Sequence, residues 1–379
     1  MKVLLCSYYK FPNGCAGSIR HEKIAQMLME LGHEPYVAGT GVANEFKTDM
    51  HKGIAYTSLR YGGDSLADKI KTRLLFWSNL KKILADMKPQ AVIMDDLGPA
   101  VTQKLKRYSK KNGIVLIHDS VEWYSKEQFK YGSLDPQYIG KDRLNKYVID
   151  SSCRVIGISN YLTNYFSGKG IKCVNMPIVI SDEDLVAEKV LDEKIKFLYA
   201  GQPGKKDYLH VMLEAMAALS DEERARFTFH ILGCTKDQLL AAGMDAETLK
   251  IVESSVVAHG RVPRSEVLEA LKTADFTILM RSPVQRYAKA GFPTKMVESL
   301  SHSTPIIANL TSDMHLYLKD EINSLVVEDC TPEALAKVLK KAISMPKGDR
   351  EEMCRNAYKT AAEELHYKKF LPAIEDILN

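Results

Sequence analysis

The chain has 379 residues, 45% hydrophobic and 26% charged, which excludes a disordered or fibrous protein and is long enough for two cores. No apolar run approaches the roughly 18 residues that a membrane span needs. Seven scattered cysteines without a Cys-x-x-Cys pair speak against a zinc site and a disulfide framework. Net charge is +4, but residues 1–180 carry +10 and the remainder −6, so the first half either meets something anionic or presents an ordinary solvated surface.

The N-terminus opens directly into the apolar run Val3–Ser7, without a charged leader, long apolar stretch and cleavage site in series. The expectation is a cytoplasmic protein. Further strand candidates follow at Pro35–Ala38, Ile54–Thr57, Ala91–Asp95, Ile114–His118 and Arg154–Ser159. A second series comprises Ile195–Ala200, Phe227–Leu232, Ser255–His259, Phe276–Met280, Pro305–Ala308 and Ser324–Val327. Near-continuous apolar runs of this kind, alternating with amphipathic segments, are what a parallel sheet covered on both faces requires. The spacing predicts a helix capped by Ser18 and running through Leu31, with Gly32 ending it, and another over 333–343 with Leu335, Val338 and Leu339 inward. Pro177 to Asp184 reads as a linker. The expected domains are therefore 1–180 and 190–360, with a final helix in 360–379 crossing back to the first.

Several loops at the carboxyl ends of these strands could carry chemistry, because ligands of doubly wound sheets bind there. Phe11 to Ser18 contains Gly14 and Gly17 but not a complete dinucleotide fingerprint. His118 ends a predicted strand, where it faces a ligand or serves as an ordinary structural histidine. Gly201 opens a turn containing Lys205 and Lys206, whose ammonium groups would neutralise a diphosphate; a basic surface turn would look the same. Arg281 and Arg286 precede Gly291-Phe292-Pro293-Thr294, where Pro293 suits the first position of a helix whose free N–H groups attract an anion. Glu298, further along that helix, can accept hydrogen bonds from a ribose diol, or it is merely exposed. Asp95-Asp96 is adjacent rather than spaced, so no Asp-x-Asp metal motif is present.

The chain resembles the family 4 glycosyltransferases in Gly32-His33-Glu34, Ile156 to Ser159, Gly201 with Lys206-Asp207, His259 to Pro263, Ala274-Asp275 and Gly291 through Leu300. The long Gly-Phe-Pro-Thr-Lys stretch is similar to the bacterial surface-polysaccharide branch. The resemblance implies a GT-B fold, α/β, with two Rossmann-like domains facing across a cleft. It implies metal-independent, retaining transfer from a nucleoside diphosphate sugar to a glycan or lipid-linked acceptor, with no cofactor. By position, Lys206 would hold the diphosphate with the amides of Gly291, Phe292 and Gly17. Glu298 would bind the ribose, the backbone at Arg261 and Val262 would meet the base, and His118 would contact the donor sugar.

Two departures stand out. The family pairs two glutamates with seven residues between them, and the first position here is Ala290; the usual arginine after Gly201 is Gln202. Arg281 or Arg286 is expected to restore the missing positive charge. The basic first domain, with Lys69, Lys71, Arg73, Lys81, Lys82, Lys104, Lys106, Arg107, Lys110 and Lys111, suits an anionic membrane surface on the inner face of the cell membrane. Leu74 to Trp77 is an apolar wedge or a core segment. Nucleic acid is not an expected partner, because aromatic platforms do not interleave the basic residues. Two other readings remain: a sugar-nucleotide epimerase of the same fold, and a catalytically silent nucleotide-sugar-binding subunit.

Overall fold

The computed structural model describes residues 1–12, 15–40, 46–59, 65–95, 97–201 and 206–379. Gly14, Asp96, Gln202 and Lys205 lie outside the described residues. The chain divides into two compact units, Met1–Val179 with Tyr367–Asn379, and Ile180–His366.

The first unit holds strands β1 (Lys2–Cys6), β2 (Glu34–Gly39), β3 (Asp49–His51), β4 (Ile54–Ser58), β5 (Ala91–Met94), β6 (Val115–Ser120), β7 (Arg154–Gly157) and β8 (Cys173–Asn175). Their order is β3-β4-β2-β1-β5-β6-β7-β8, parallel throughout except for β3 against β4. β1 lies between β2 and β5, so Val3, Leu4, Leu5 and Cys6 are fully buried, and strand order reverses there. The helix Leu371–Leu378 returns to this unit and inserts Ile374 and Ile377 into the core of Val3, Leu5, Ile24 and Ile93. The preceding helix, Lys347–Glu364, stays with the second unit.

The second unit holds β9 (Ile195–Ala200), β10 (Phe227–Leu232), β11 (Val256–Ala258), β12 (Phe276–Leu279), β13 (Ile306–Asn309) and β14 (Ser324–Val327). They form a parallel sheet in the order β11-β10-β9-β12-β13-β14, whose switch point lies between β9 and β12. Phe197 packs at 5.2 Å from Phe227 and 6.1 Å from Phe276, which anchors the core at the strands flanking that point.

Local chemistry accounts for the differences from sequence expectation. β6 continues two residues past His118, which is therefore an interior strand residue rather than the end of one. The first helix runs Ala16–Glu30 with Cys15 at its N-cap; the Ser18 hydroxyl instead donates to the Cys15 carbonyl at 2.7 Å. Gly32 follows that helix at φ +75°, which glycine adopts without strain. The helix Pro332–Ser344 buries Leu335 and Leu339, but Val338 is only half-buried. Ser181 and Asp184 form a capping box, so part of the predicted linker is an ordered turn of the second unit. β3 and β8 are three residues each, too short to show a period.

Candidate functional site

The switch point of the second sheet gathers residues from four segments. Gly201 leaves β9, and Lys206-Asp207 re-enter the fold after it. Asp207 bridges Arg281 in antiparallel fashion, and the Tyr208 N–H donates to the Met280 carbonyl at 2.8 Å. Asn309, ending β13, fixes Arg281 from the other side: its Oδ1 accepts from the Arg281 N–H at 2.9 Å, and its Nδ2 donates to the Arg281 carbonyl at 2.7 Å. The loops after β9, β12 and β13 are thus tied together by backbone bonds.

Asp207 is the hub. Its Oδ1 accepts from Arg281 Nε at 2.8 Å, and its Oδ2 accepts from the Lys295 ammonium and from the Tyr199 hydroxyl at 3.1 Å. Burial pushes its carboxyl up, but Arg281 and Lys295 outweigh that and hold it well below the usual carboxylate range. Tyr199 is pushed up by its own burial and by Asp207, so it remains a donor. Arg281 and Lys295 are 14% and 26% exposed against 5% for Asp207, so the carboxylate is covered while the cations keep an outward side. Lys295 also sits 5.2 Å above the Tyr199 ring. A Cβ at Gly201 would fall 2.7 Å from the Lys295 Nζ, so glycine there leaves room for the ammonium.

Around this hub, the Tyr287 hydroxyl donates to the Lys206 carbonyl at 2.5 Å, and burial raises Tyr287 to about 12. Lys206 itself is half-buried. Gly291 has φ −84°, so its role rests on space and not on a left-handed backbone. Pro293 is the N-cap of the helix Thr294–Ser301, one position earlier than predicted, because its ψ of 109° is extended. Phe292 is buried against Tyr317, leaving its backbone as the part available to a ligand. Glu298, a turn after Lys295, is ion-paired with Arg264 Nη1 at 2.9 Å. Arg261 is exposed and Val262 half-buried in a small cluster with Leu198 and Leu232. Arg286 starts the short helix Arg286–Ala290 and is half-buried; Ala290 is completely buried.

Gly17 and His118 belong to the first unit. The Tyr9 ring occupies the space that a Cβ on Gly17 would need, at 2.2 Å. His118 is buried, packs edge-on against Phe166 and is lowered to about 3, by burial first and then by Lys141. It is a neutral imidazole inside the sheet, not the strand-end residue that the sequence suggests. Nearby, Arg20 spans both oxygens of Asp119 at 2.8 Å and donates to the Met176 and Pro177 carbonyls. Among the described residues, His21, Asp95 and Asp119 bring ligand atoms within 4.8 Å of one another, but the guanidinium already occupies both Asp119 oxygens.

Sequence reasoning gives no role to Asp207, Lys295, Arg264, Tyr199 or Asn309, although Lys206-Asp207 and the stretch through Lys295 carry the resemblance. Lys295 did leave a signal: a lysine in the first turn opposes the helix dipole, so something else must hold it there.

Residues 181–360 match the model of a family described as "Glycosyl transferases group 1", a stretch slightly under half the chain. The fold is GT-B. It is shown by solved glycosyltransferase structures that align with the whole chain. Sucrose-phosphate synthase from Thermosynechococcus elongatus superposes with a TM-score of 0.76 at 13% identity, over 99% of this chain and 98% of that one. WaaG, a glycosyltransferase involved in lipopolysaccharide biosynthesis, gives 0.70 at 16% identity over 99% of each. HepE from Anabaena, in complex with UDP and glucose, gives 0.67 at 13% identity over 100% and 99%. No curated protein sequence matches the chain.

Proposed function

We propose that this chain is a retaining, metal-independent glycosyltransferase that moves a sugar from a nucleoside diphosphate sugar to a glycan or lipid-linked acceptor. The observation that carries the reading is the charge balance at the second switch point: Arg281 and Lys295 share one buried carboxylate, that of Asp207. A net positive charge set on rigid strand ends is what a diphosphate needs. The glycosyltransferase model match over 181–360 supports it.

In the reaction, the bond from the anomeric carbon to the diphosphate oxygen breaks, and its electron pair leaves with the diphosphate. The acceptor oxygen forms the new bond on the same face and passes its proton to the leaving phosphate. Arg281 and Lys295 are aimed at the growing negative charge, and their ties to Asp207 limit reorganisation. Arg281 then supplies the cation that Gln202 lacks, with Lys295 beside it. The Glu298 carboxylate would exchange Arg264 for the ribose diol. Lys205, Arg286 and the backbone N–H groups of Gly291, Phe292 and Thr294 complete the proposed donor contacts, and Arg261 and Val262 face the base.

Among the described residues no helix is long and apolar enough to cross a membrane. A peripheral contact with anionic lipid on the cytoplasmic face fits the helix Leu66–Met87. Leu66, Ile70 and Leu74, one turn apart, are 75%, 51% and 76% exposed, beside the exposed Lys69, Arg73 and Lys81. Of the segment Leu74 to Trp77, Phe76 is fully buried, which is the core reading, while Leu74 is exposed; among the basic residues, Lys106 is held by Asp150 and the Val148 carbonyl.

A thermal-shift series with UDP, GDP, ADP and TDP sugars, without added metal, tests the reading. At a hundredfold excess over Kd, binding adds about 2.7 kcal/mol of stability. One nucleotide class should shift the melting temperature, and Glu298→Ala should abolish the shift. A second reading, a silent donor-binding subunit, is favoured by the fully buried Ala290 at the position of the family's first glutamate. Donor binding without turnover on any acceptor would select it.

A further inference from the structure

In the second unit, Gln285 Oε1 and Ser312 Oγ are buried and make no hydrogen bond among the described residues. Arg350 Nε shares that state, but its guanidinium is already paired with Asp275 through Nη1. A buried polar atom forfeits its hydration, so native chains rarely keep one unless water or a ligand completes it. Both oxygens lie in loops that leave the carboxyl ends of neighbouring strands, the side where ligands of such sheets bind.

β12 leads through Arg281 to Gln285, and β13 leads through Asn309 to Ser312. Because Asn309 binds the Arg281 backbone through both its amide atoms, the two loops start from one point. Gln285 lies four residues beyond it and Ser312 three, at most about 14 Å and about 11 Å of extended chain. The helix Arg286–Ala290, which Gln285 precedes, packs against the short helix Ser312–Leu316, and Tyr287 ties it to the Lys206 carbonyl. The Gln285 side chain makes no capping bond; its backbone N–H donates instead to Ser282 Oγ at 3.3 Å. Ser312 sits at φ +50°, where glycine would be free of strain, yet the position carries a hydroxyl. Each residue is half-buried, so a change of rotamer brings its oxygen to a ligand.

We propose that Gln285 and Ser312 read the hydroxyl groups of the sugar carried on the nucleoside diphosphate. The inference rests on the glycosyl-transfer reading: once Arg281 and Lys295 hold the diphosphate, the sugar joined to it falls to the loops that extend from the same point. The Gln285 amide oxygen accepts from a sugar hydroxyl, and the Ser312 hydroxyl accepts or donates. Both groups are neutral, so they distinguish sugars by where a hydroxyl stands and not by charge. An epimer with that hydroxyl on the other face leaves the protein oxygen unpaired, and this is what makes such a site selective.

Calorimetric titration of the full-length protein tests the assignment, with a bare nucleoside diphosphate set against two hexose esters that differ at one hydroxyl. The probes are UDP, UDP-glucose and UDP-galactose, or GDP, GDP-mannose and GDP-glucose, according to the base that the protein binds. Gln285→Ala and Ser312→Gly should each weaken the preferred nucleotide sugar about fivefold, the worth of one net hydrogen bond, and narrow its margin over the epimer. The Kd of the bare nucleoside diphosphate should stay within about twofold. Gln285→Glu, which keeps an acceptor oxygen, should retain most of the affinity. Neither main variant removes a bond that holds the fold, and Ser312→Gly relieves the backbone. Equal losses for nucleotide and nucleotide sugar, or no loss for either, would overturn the assignment and leave the donor site standing. Failure to bind any nucleoside diphosphate would instead overturn the glycosyl-transfer reading, and this assignment with it.

Discussion

The two units both bury charge at a switch point, but they do so with opposite outcomes. In the first, Arg20 and Asp119 are 5% and 0% exposed, and both carboxylate oxygens are matched by one guanidinium. His21 and His118 beside them are neutral, lowered to about 4 and about 3 chiefly by burial. In the second, one buried carboxylate anchors two cations that remain partly accessible. The first arrangement is closed on itself and holds strands together; the second leaves positive charge for a ligand. The lesson is that a charged cluster at a strand end is a binding feature when its balance is incomplete and faces outward.

Breaking the closed cluster should have the largest effect. Arg20→Met leaves Asp119 buried without its partner and should cost about 3–5 kcal/mol of unfolding free energy, read by denaturant titration. Removing a cation from the open cluster should instead spare stability and strike turnover. On the proposed mechanism, Lys295→Ala and Arg281→Ala should each raise the activation barrier by about 3–4 kcal/mol, measured as kcat with a matched donor and acceptor. Gly201→Ala sharpens the point. Its Cβ would displace the Lys295 tip, so kcat should fall less than in Lys295→Ala, and the double variant should resemble Lys295→Ala. Additive losses would place Gly201 and Lys295 in separate roles.

Acidification separates the two units as well. Histidines whose folded pKa is lowered bind protons in the unfolded chain first. Their contribution is complete above about pH 6.5 and is lost as pH falls toward about 4 for His21 and about 3 for His118. Each should lower stability by about 1.4 kcal/mol per pH unit across its window. Asp207 is shifted in the same direction but from the carboxylate range, so its contribution persists until pH falls into that range and is lost below it. Hydrogen exchange at pH 5 against pH 7 should therefore show the first unit loosening before the second. His21→Gln should flatten the first unit's dependence.

Much of this was legible in the sequence. Buried parallel strands show as apolar runs, so Ile195–Ala200, Phe227–Leu232 and Ser324–Val327 emerge with their observed bounds. Gly201, Lys206, Arg281 and the turn at Gly291 are recognisable because glycine, proline and basic residues punctuate strand ends. Partner choice was not legible. Asp207 reads as one acid in a basic loop, and only the fold brings Lys295 to it across 88 positions. His118 misled for a related reason: Asp119-Ser120 look like a loop start, yet they pair with Ile156-Gly157 as the end of β6. Arg264 escaped notice because its meeting with Glu298 depends on how two helices converge.

The smallest effect lies on the surface of the first unit. Leu66, Ile70 and Leu74 form a stripe along the helix Leu66–Met87, while Thr72, Phe76 and Leu80 hold its other side to the core. Changing Leu74 to aspartate should leave folding unaltered, since the side chain is 76% exposed. It should weaken sedimentation with vesicles containing anionic phosphatidylglycerol by removing apolar contact and adding repulsion. Each nearby lysine or arginine contributes about 1 kcal/mol at such a surface, so Arg73→Ala alone should reduce binding by roughly fivefold at low salt. Both effects should shrink at high salt, Arg73→Ala almost entirely and Leu74→Asp only in part, because salt screens charge and not apolar burial. Binding that ignored both substitutions would move the lipid contact away from this helix, while the Asp207 hub would still be tested separately by donor binding.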